Sequence, residues 1–224
     1  MNASNSDNDF PFLCSWSGGK DSYFAMFKAV AEGGVPKVLL NVLNEHGERS
    51  RSHGIPREVL LAQAQCVNVP LAFIASTWKN YEENFIVRLK ELTAQYEVTA
   101  AVFGDIDIAS HRVSEEKVSH AAGLQPMLPL WQGAREALVK DMIHSGTRAL
   151  IVSCQAPYAE HILGRYIDEP LLEVFAELGI DACGENGEYH TLVVDGPLHQ
   201  QVLPVGIGEV QTHNNYAFLT LAKA

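Results

Sequence analysis

Ser17-Gly18-Gly19-Lys20-Asp21-Ser22 follows an apolar run, Phe12-Leu13-Cys14-Ser15-Trp16, and precedes a stretch with helical spacing, Tyr23, Met26, Phe27 and Val30. Strand, small-residue turn and helix start together build an anion pocket. Successive backbone N–H groups converge there, and the helix dipole adds partial positive charge at the same spot. Two glycines permit backbone angles and a close approach that a Cβ would forbid. Lys20 adds a point charge, and Asp21 or Ser22 can cap the helix. Ser15, Ser17, Gly18, Gly19, Lys20, Asp21 and Ser22 are therefore the candidate phosphate-binding set. The spacing is neither the Walker form nor the dinucleotide fingerprint.

Outward from this stretch the first half alternates apolar runs with helical patterns. Strands are expected at 38–43, 71–75 and 99–103. Helices are expected from Pro56, through Tyr81, Phe85, Leu89, Leu92 and Tyr96, and from about Ile108 to Ala122. Repeated β-α units with continuous apolar strands imply an α/β, Rossmann-like parallel sheet with helices on both faces. Ligands of such sheets bind beyond the carboxyl ends of the strands. That edge holds the Ser17 loop, residues 44–53, Ser76-Thr77 and Gly104-Asp105. Asp105 serves there either as a helix or turn cap or as a site carboxylate.

The second half changes character near Gln125-Pro126-Met127. Helices are expected from Ala134 to about Ser145 and through Leu171, Val174, Phe175 and Leu178 to a stop at Gly179. Strands are expected at 149–153, 191–194, 201–205 and 216–221. The division expected is a disordered leader at 1–10, a nucleotide-binding domain at 11–125 and a smaller C-terminal α+β substrate domain at 126–224.

A second unusual segment, Cys183-Gly184-Glu185-Asn186-Gly187-Glu188-Tyr189-His190-Thr191, sets two carboxylates at the start of an apolar strand. A hairpin would need only Asn186-Gly187. Glu185 and Glu188 are read as facing the nucleotide, where they could hold Mg²⁺, orient an amine or take its proton; the alternative is a solvated acidic turn. Asp21, Asp105 and Glu188 are the candidate Mg²⁺ ligands.

Sixteen basic against 27 acidic residues give a net charge of −11 over 224 residues, a field that repels polyanions and argues against a broad nucleic-acid surface. Four scattered cysteines with no Cys-x-x-Cys pair suit a reduced, cytoplasmic protein rather than a disulfide scaffold or zinc site. No apolar run is long enough to span a membrane.

The hexapeptide resembles the pyrophosphate loop of the N-type ATP pyrophosphatases. Phe103-Gly104-Asp105-Ile106 with Arg112 and Glu116, Pro129-Leu130-Trp131, Gly164-Arg165 and Gly184-Glu185-Asn186-Gly187-Glu188-Tyr189 extend the likeness. In that order they resemble the diphthine–ammonia ligase family over nearly the whole chain after residue 10. The resemblance implies an adenine nucleotide α-hydrolase-like first domain, ATP and Mg²⁺ as cofactors, and adenylation of a carboxylate followed by attack of ammonia. It makes Lys20, Glu185 and Glu188 catalytic, adds Gly104 and Asp105 to the nucleotide site, and puts His53, Arg112, Arg165, Asn186 and His190 on the substrate side. Arg165 is either an anchor for an anionic group or a surface ion-pair partner. The partners implied are ATP, ammonia and a carboxylate on a small molecule or a modified protein side chain, with room for a homodimer. Asn186 and His190 replace a glycine and a glutamate favoured by diphthine-amidating members, and His53-Gly54-Ile55-Pro56 also differs, which opens the alternative of another small carboxylate. A tRNA thiolase using Cys154 or Cys183, and a non-catalytic ATP-binding protein, are the remaining alternatives.

Overall fold

A computed structural model describes residues 9–224. The leader expected at 1–10 lies mostly outside the described residues, and Phe10 already belongs to the first strand. Strands β1 (Phe10–Ser15), β2 (Gly34–Leu43), β3 (Leu71–Ala75), β4 (Ala100–Val102) and β5 (Gln125–Met127) form a parallel sheet in the order β3-β2-β1-β4-β5. Helices α1 (Lys20–Ala31), α2 (Arg57–Cys66), α3 (Tyr81–Tyr96) and α4 (Ala109–Ala121) connect them. Alternate β1 residues feed two cores. Phe12 and Cys14 pack with α1, while Leu13 packs with Phe85, Leu89 and Leu92 of α3 and Val118 of α4. Burial on both faces is why these strands read as continuous apolar runs. Pro36 cannot donate to the ladder, and the β1–β2 register shifts beside it, between Phe12 and Leu13.

The order reverses direction between β1 and β4, and doubly wound sheets open their ligand crevice at that switch point. The Ser17 loop leaves β1 there, and Gly104-Asp105 leaves β4 beside it.

After α5 (Arg135–His144), β6 (Arg148–Gln155), α6 (Ala159–Ile162) and α7 (Glu169–Leu178) come β7 (Tyr189–Asp195), β8 (Val205–His213) and β9 (Tyr216–Lys223). These four strands form an antiparallel sheet in the order β7-β6-β9-β8. Leu60 of α2 shares a core with Leu150 of β6 and Leu192 of β7, so the second sheet closes onto helix α2.

Three expectations need correction. Residues 201–204 are not a strand: Pro204 has no N–H for a ladder, and β8 begins only at Val205. β5 adds a fifth parallel strand astride the expected 125/126 boundary, and its Pro126 is tolerated because β5 is the sheet edge. Neither Asp21 nor Ser22 caps α1; Gly19 does, without a side-chain bond. Among the described residues no helix is long and apolar enough to cross a membrane.

Candidate functional site

The loop is held by its own hydroxyls and by the second sheet. Ser17 Oγ accepts from the Gly19 amide at 3.2 Å and lies 3.1 Å from Ser22 Oγ, which accepts from the Ser17 amide. Gly18 is left-handed at φ +86°, and its carbonyl accepts from the Val193 amide of β7 at 3.0 Å. Thr191 Oγ1 accepts from the Lys20 amide at 3.0 Å. Buried Gln63 of α2 locks the assembly. Its Oε1 accepts from Trp16 Nε1 at 2.9 Å, and its Nε2 donates to Gly18 O at 2.9 Å and Val193 O at 2.7 Å. Among the described residues the amides of Gly18, Asp21 and Ser22 have no hydrogen-bond partner. They remain at the positive end of α1, which suits an anion. A Cβ on Gly19 would stand 2.6 Å from His53 Nε2, and one on Gly104 would stand 2.7 Å from the Ser22 amide nitrogen. Gly104 thus lets the end of β4 press against the loop.

Lys20 is 3% exposed. Its Nζ pairs with Asp21 at 2.9 Å, donates to the carbonyl of Cys183 at 2.5 Å and lies 5.2 Å from the centroid of the Tyr189 ring. Burial alone would lower the ammonium pKa, but Asp21 and its other acidic neighbours outweigh that and hold it raised, so Lys20 is charged. The two motifs, far apart in the chain, therefore meet at one side chain.

The two glutamates of the second motif separate. Glu188 is buried, and both its oxygens are committed: Oε1 accepts from the Asp181 amide and Asn186 Nδ2, and Oε2 accepts from the Asn186 amide. Glu185 has no hydrogen-bond partner among the described residues. Burial first, and then the Asp21 carboxylate, push its carboxyl up to about 7, against the pull of Lys20. The expected Mg²⁺ set of Asp21, Asp105 and Glu188 is not gathered: the first pairs with Lys20, the second with His111 at 2.8 Å, and the third with its own turn. No group of three or more metal-ligating side chains stands together among the described residues.

His53 and His190 pair beside the loop with centroids 4.7 Å apart. Burial holds His53 well below its ordinary value, helped by His190 and Lys20, and burial followed by Lys20 takes His190 down to about 4; both rings are neutral at pH 7. Ser15, Trp16, Asn41, Arg51, His53 and Tyr81 line a cleft of about 130 Å³ next to the loop. Asn41 is 2% exposed and donates to Trp16 O at 2.7 Å, leaving its Oδ1 without a partner among the described residues. Arg112 and Arg165 are exposed. Arg112 pairs with Glu116 at 2.6 Å and covers Trp131, and Arg165 donates to the His161 carbonyl; neither bonds to the loop.

Sequence reasoning missed Gln63, Thr191, Asn41 and Arg135. Gln63 and Asn41 carried a usable signal, since each is a polar residue set among apolar neighbours of a buried element.

Residues 12–126 match the family model of the diphthamide synthase N-terminal domain, and residues 134–224 match that of its C-terminal domain. The chain belongs to the diphthamide synthase family. A diphthine–ammonia ligase of Bos taurus is 30% identical, over 92% of this chain and 86% of the relative. That of Homo sapiens is 28% identical over the same shares. Among solved structures, a 4-thiouridine synthetase in complex with RNA and ATP overlaps 60% of this chain and 40% of its own, with a TM-score of 0.44 and 12% identity. The N-terminal diphthamide synthase match contains the loop and the C-terminal match contains the acidic turn, so the Lys20–Cys183 bond joins the two.

Proposed function

We propose that this chain is an ATP-dependent, AMP-forming ligase that amidates a carboxylate with ammonia; its curated relatives are named diphthine–ammonia ligases. The observation that carries the reading is the convergence of the loop, charged Lys20 and Glu185 at the β1/β4 switch point. The free amides of Gly18, Asp21 and Ser22 receive the polyphosphate at the α1 N-terminus, and adenosine lies in the cleft beside Trp16 and Tyr81. There the Asn41 Oδ1 is an acceptor for the adenine amino group.

The substrate carboxylate attacks the α-phosphorus, and the bond to the β-phosphate oxygen breaks, releasing pyrophosphate and leaving an acyl-adenylate. Lys20 and the loop amides stabilise the departing charge. Ammonia then attacks the acyl carbon, the bond to AMP breaks, and Glu185, poised near neutrality, takes the amine proton. Glu188 shapes the turn that carries Glu185. Mg²⁺ would be held chiefly by the ATP phosphates, since Lys20 engages both oxygens of Asp21 and Glu185 is kept for the amine proton; the ion would neutralise polyphosphate charge.

The neutral His53–His190 pair favours a second reading of the acceptor, in which the same chemistry runs on a carboxylate other than diphthine. A thiolase is disfavoured. The four cysteines are free and buried, and burial pushes the thiols of Cys154 and Cys183 up to about 11 and 12, against nucleophilic sulfur. Free cysteines also fit the cytoplasm as the compartment. The test incubates the chain with MgATP, ammonium and a panel of carboxylates that includes a diphthine-bearing protein. Carboxylate-dependent release of AMP and pyrophosphate is expected; release of ADP, or of no nucleotide product with any member, would sink the reading.

A further inference from the structure

Arg135, the first residue of α5, takes no part in the chemistry above, yet it joins the two halves of the site. Its Nε and Nη2 donate to Asp107 at 2.8 and 2.7 Å, and its Nη1 pairs with Asp181. Asp107 lies just beyond Asp105 at the edge of the parallel sheet, and Asp181 opens the acidic turn of the second half. Asp181 passes the constraint inward. Its Oδ1 accepts from the amides of Cys183 at 2.6 Å and Gly184 at 3.1 Å, and its own amide donates to Glu188 at 3.2 Å. Cys183 then offers its carbonyl to Lys20 Nζ, and its thiol donates to the Arg135 carbonyl at 3.2 Å.

We propose that Arg135 is a positioning residue of this site: it clamps the 181–188 turn to the sheet edge, so that the Cys183 carbonyl meets Lys20 and Glu185 stands by Asp21. The proposal rests on reading that site as the ATP site. The planar guanidinium suits the task because it reaches two carboxylates at once with fixed geometry, whereas a lysine at 135 would serve one of them. Among the described residues, Asp107 and Asp181 gain no other charged partner in this corner.

The test uses the full chain with Arg135→Gln, Arg135→Lys, Asp181→Asn and Asp107→Asn. It reads MgATP affinity by titration calorimetry and, without nucleotide, amide exchange over residues 181–189. Arg135→Gln is expected to bind MgATP about tenfold more weakly, the scale of one lost charge-assisted hydrogen bond. Its turn exchanges faster while α3 exchanges as in the parent chain. Arg135→Lys recovers part of both signals, and the Arg135→Gln/Asp181→Asn pair is no worse than Arg135→Gln alone, since both remove one link. Parental affinity with parental turn exchange in Arg135→Gln overturns the proposal, and so does an additive pair. Should Arg135→Gln fail to fold, Asp107→Asn, at an exposed position, is expected to show the same weakening and the same faster turn exchange, and parental values in it overturn the proposal equally. A parent chain that takes up no MgATP defeats the nucleotide reading instead, and turn exchange still decides the clamp.

Discussion

The loop at 17–22 and the turn at 181–188 hold Lys20 from opposite sides and are built by opposite means. Backbone freedom shapes the loop: Gly18 turns left-handed, Gly19 makes room for His53, and Gly104 lets the neighbouring strand end close in. Carboxylates shape the turn: Asp181 gathers the amides of Cys183 and Gly184, and Glu188 gathers those of Asp181 and Asn186. In the loop, therefore, structure and chemistry use different atoms, whereas in the turn they compete for the same residue type. Of the two motif glutamates, Glu188 is spent on shape, and the proposed function leaves Glu185 for the reaction.

Lys20→Ala strikes both regions and carries the largest expected effect. It removes the charge beside the phosphates and leaves the Asp21 carboxylate and the Cys183 carbonyl without their donor. AMP release should fall by about 10²–10³-fold. Breaking a buried pair costs about 3–5 kcal/mol, so Tm falls as well. A folded variant with near-parental AMP release would remove Lys20 from the phosphate path.

Substituting the two glutamates one at a time tests the division of labour inside the turn. Glu185→Gln should lower kcat about 10²-fold with folding stability intact. Glu188→Gln puts an NH₂ group against a ring of N–H donors and should cost about 1–3 kcal/mol in denaturant unfolding, with a smaller effect on turnover per folded molecule. The reverse pattern, a stable but dead Glu188→Gln beside an active Glu185→Gln, would exchange their roles. The pH profile sharpens the same contrast. With the Glu185 carboxyl near 7, the base is lost below that pH, and the rate should fall about tenfold per unit on the acid side. Glu185→Gln should flatten that limb.

The helix Tyr81–Tyr96 and the strand Leu71–Ala75 have the bounds their apolar spacing suggests, because the helix buries a regular face through Phe85, Leu89 and Leu92, and the strand packs alternate residues against two cores. β5 and β8 stayed hidden for the opposite reason. β5 is a three-residue edge strand containing Pro126, and β8 is an edge strand whose side chains are mostly exposed, so neither carries an apolar signature. At the site, the loop was legible because glycine has few reasons to recur before a helix. Glu185 and Glu188 were indistinguishable, since only tertiary geometry says which carboxylate meets backbone amides. Arg165 illustrates the converse: a charged residue in a shared motif that the fold leaves exposed and away from the loop. Arg135 was overlooked because a helix-start arginine has no local pattern, and its partners Asp107 and Asp181 are distant in the chain.

The smallest expected effect lies at the loop's far side, where Asp105 meets Glu115 of α4. Burial first, and then the Asp105 carboxylate, push the Glu115 carboxyl up to about 9, so at neutral pH it is protonated and donates to Asp105. A folded-state pKa above the ordinary 4.5 supplies stability that is complete below pH 4.5 and is lost as pH rises through about 9. Glu115→Gln keeps a neutral donor of similar shape and removes the titration. At pH 7 the variant and the parent chain should differ by less than about 1 kcal/mol. Above pH 9 the variant should be the more stable, since the parent then holds two adjacent carboxylates. Thermal unfolding of both chains across that range is the measurement. Parallel curves would mean that Glu115 titrates normally and that the Asp105 side of the site, unlike the turn, stores no carboxylate in its neutral form.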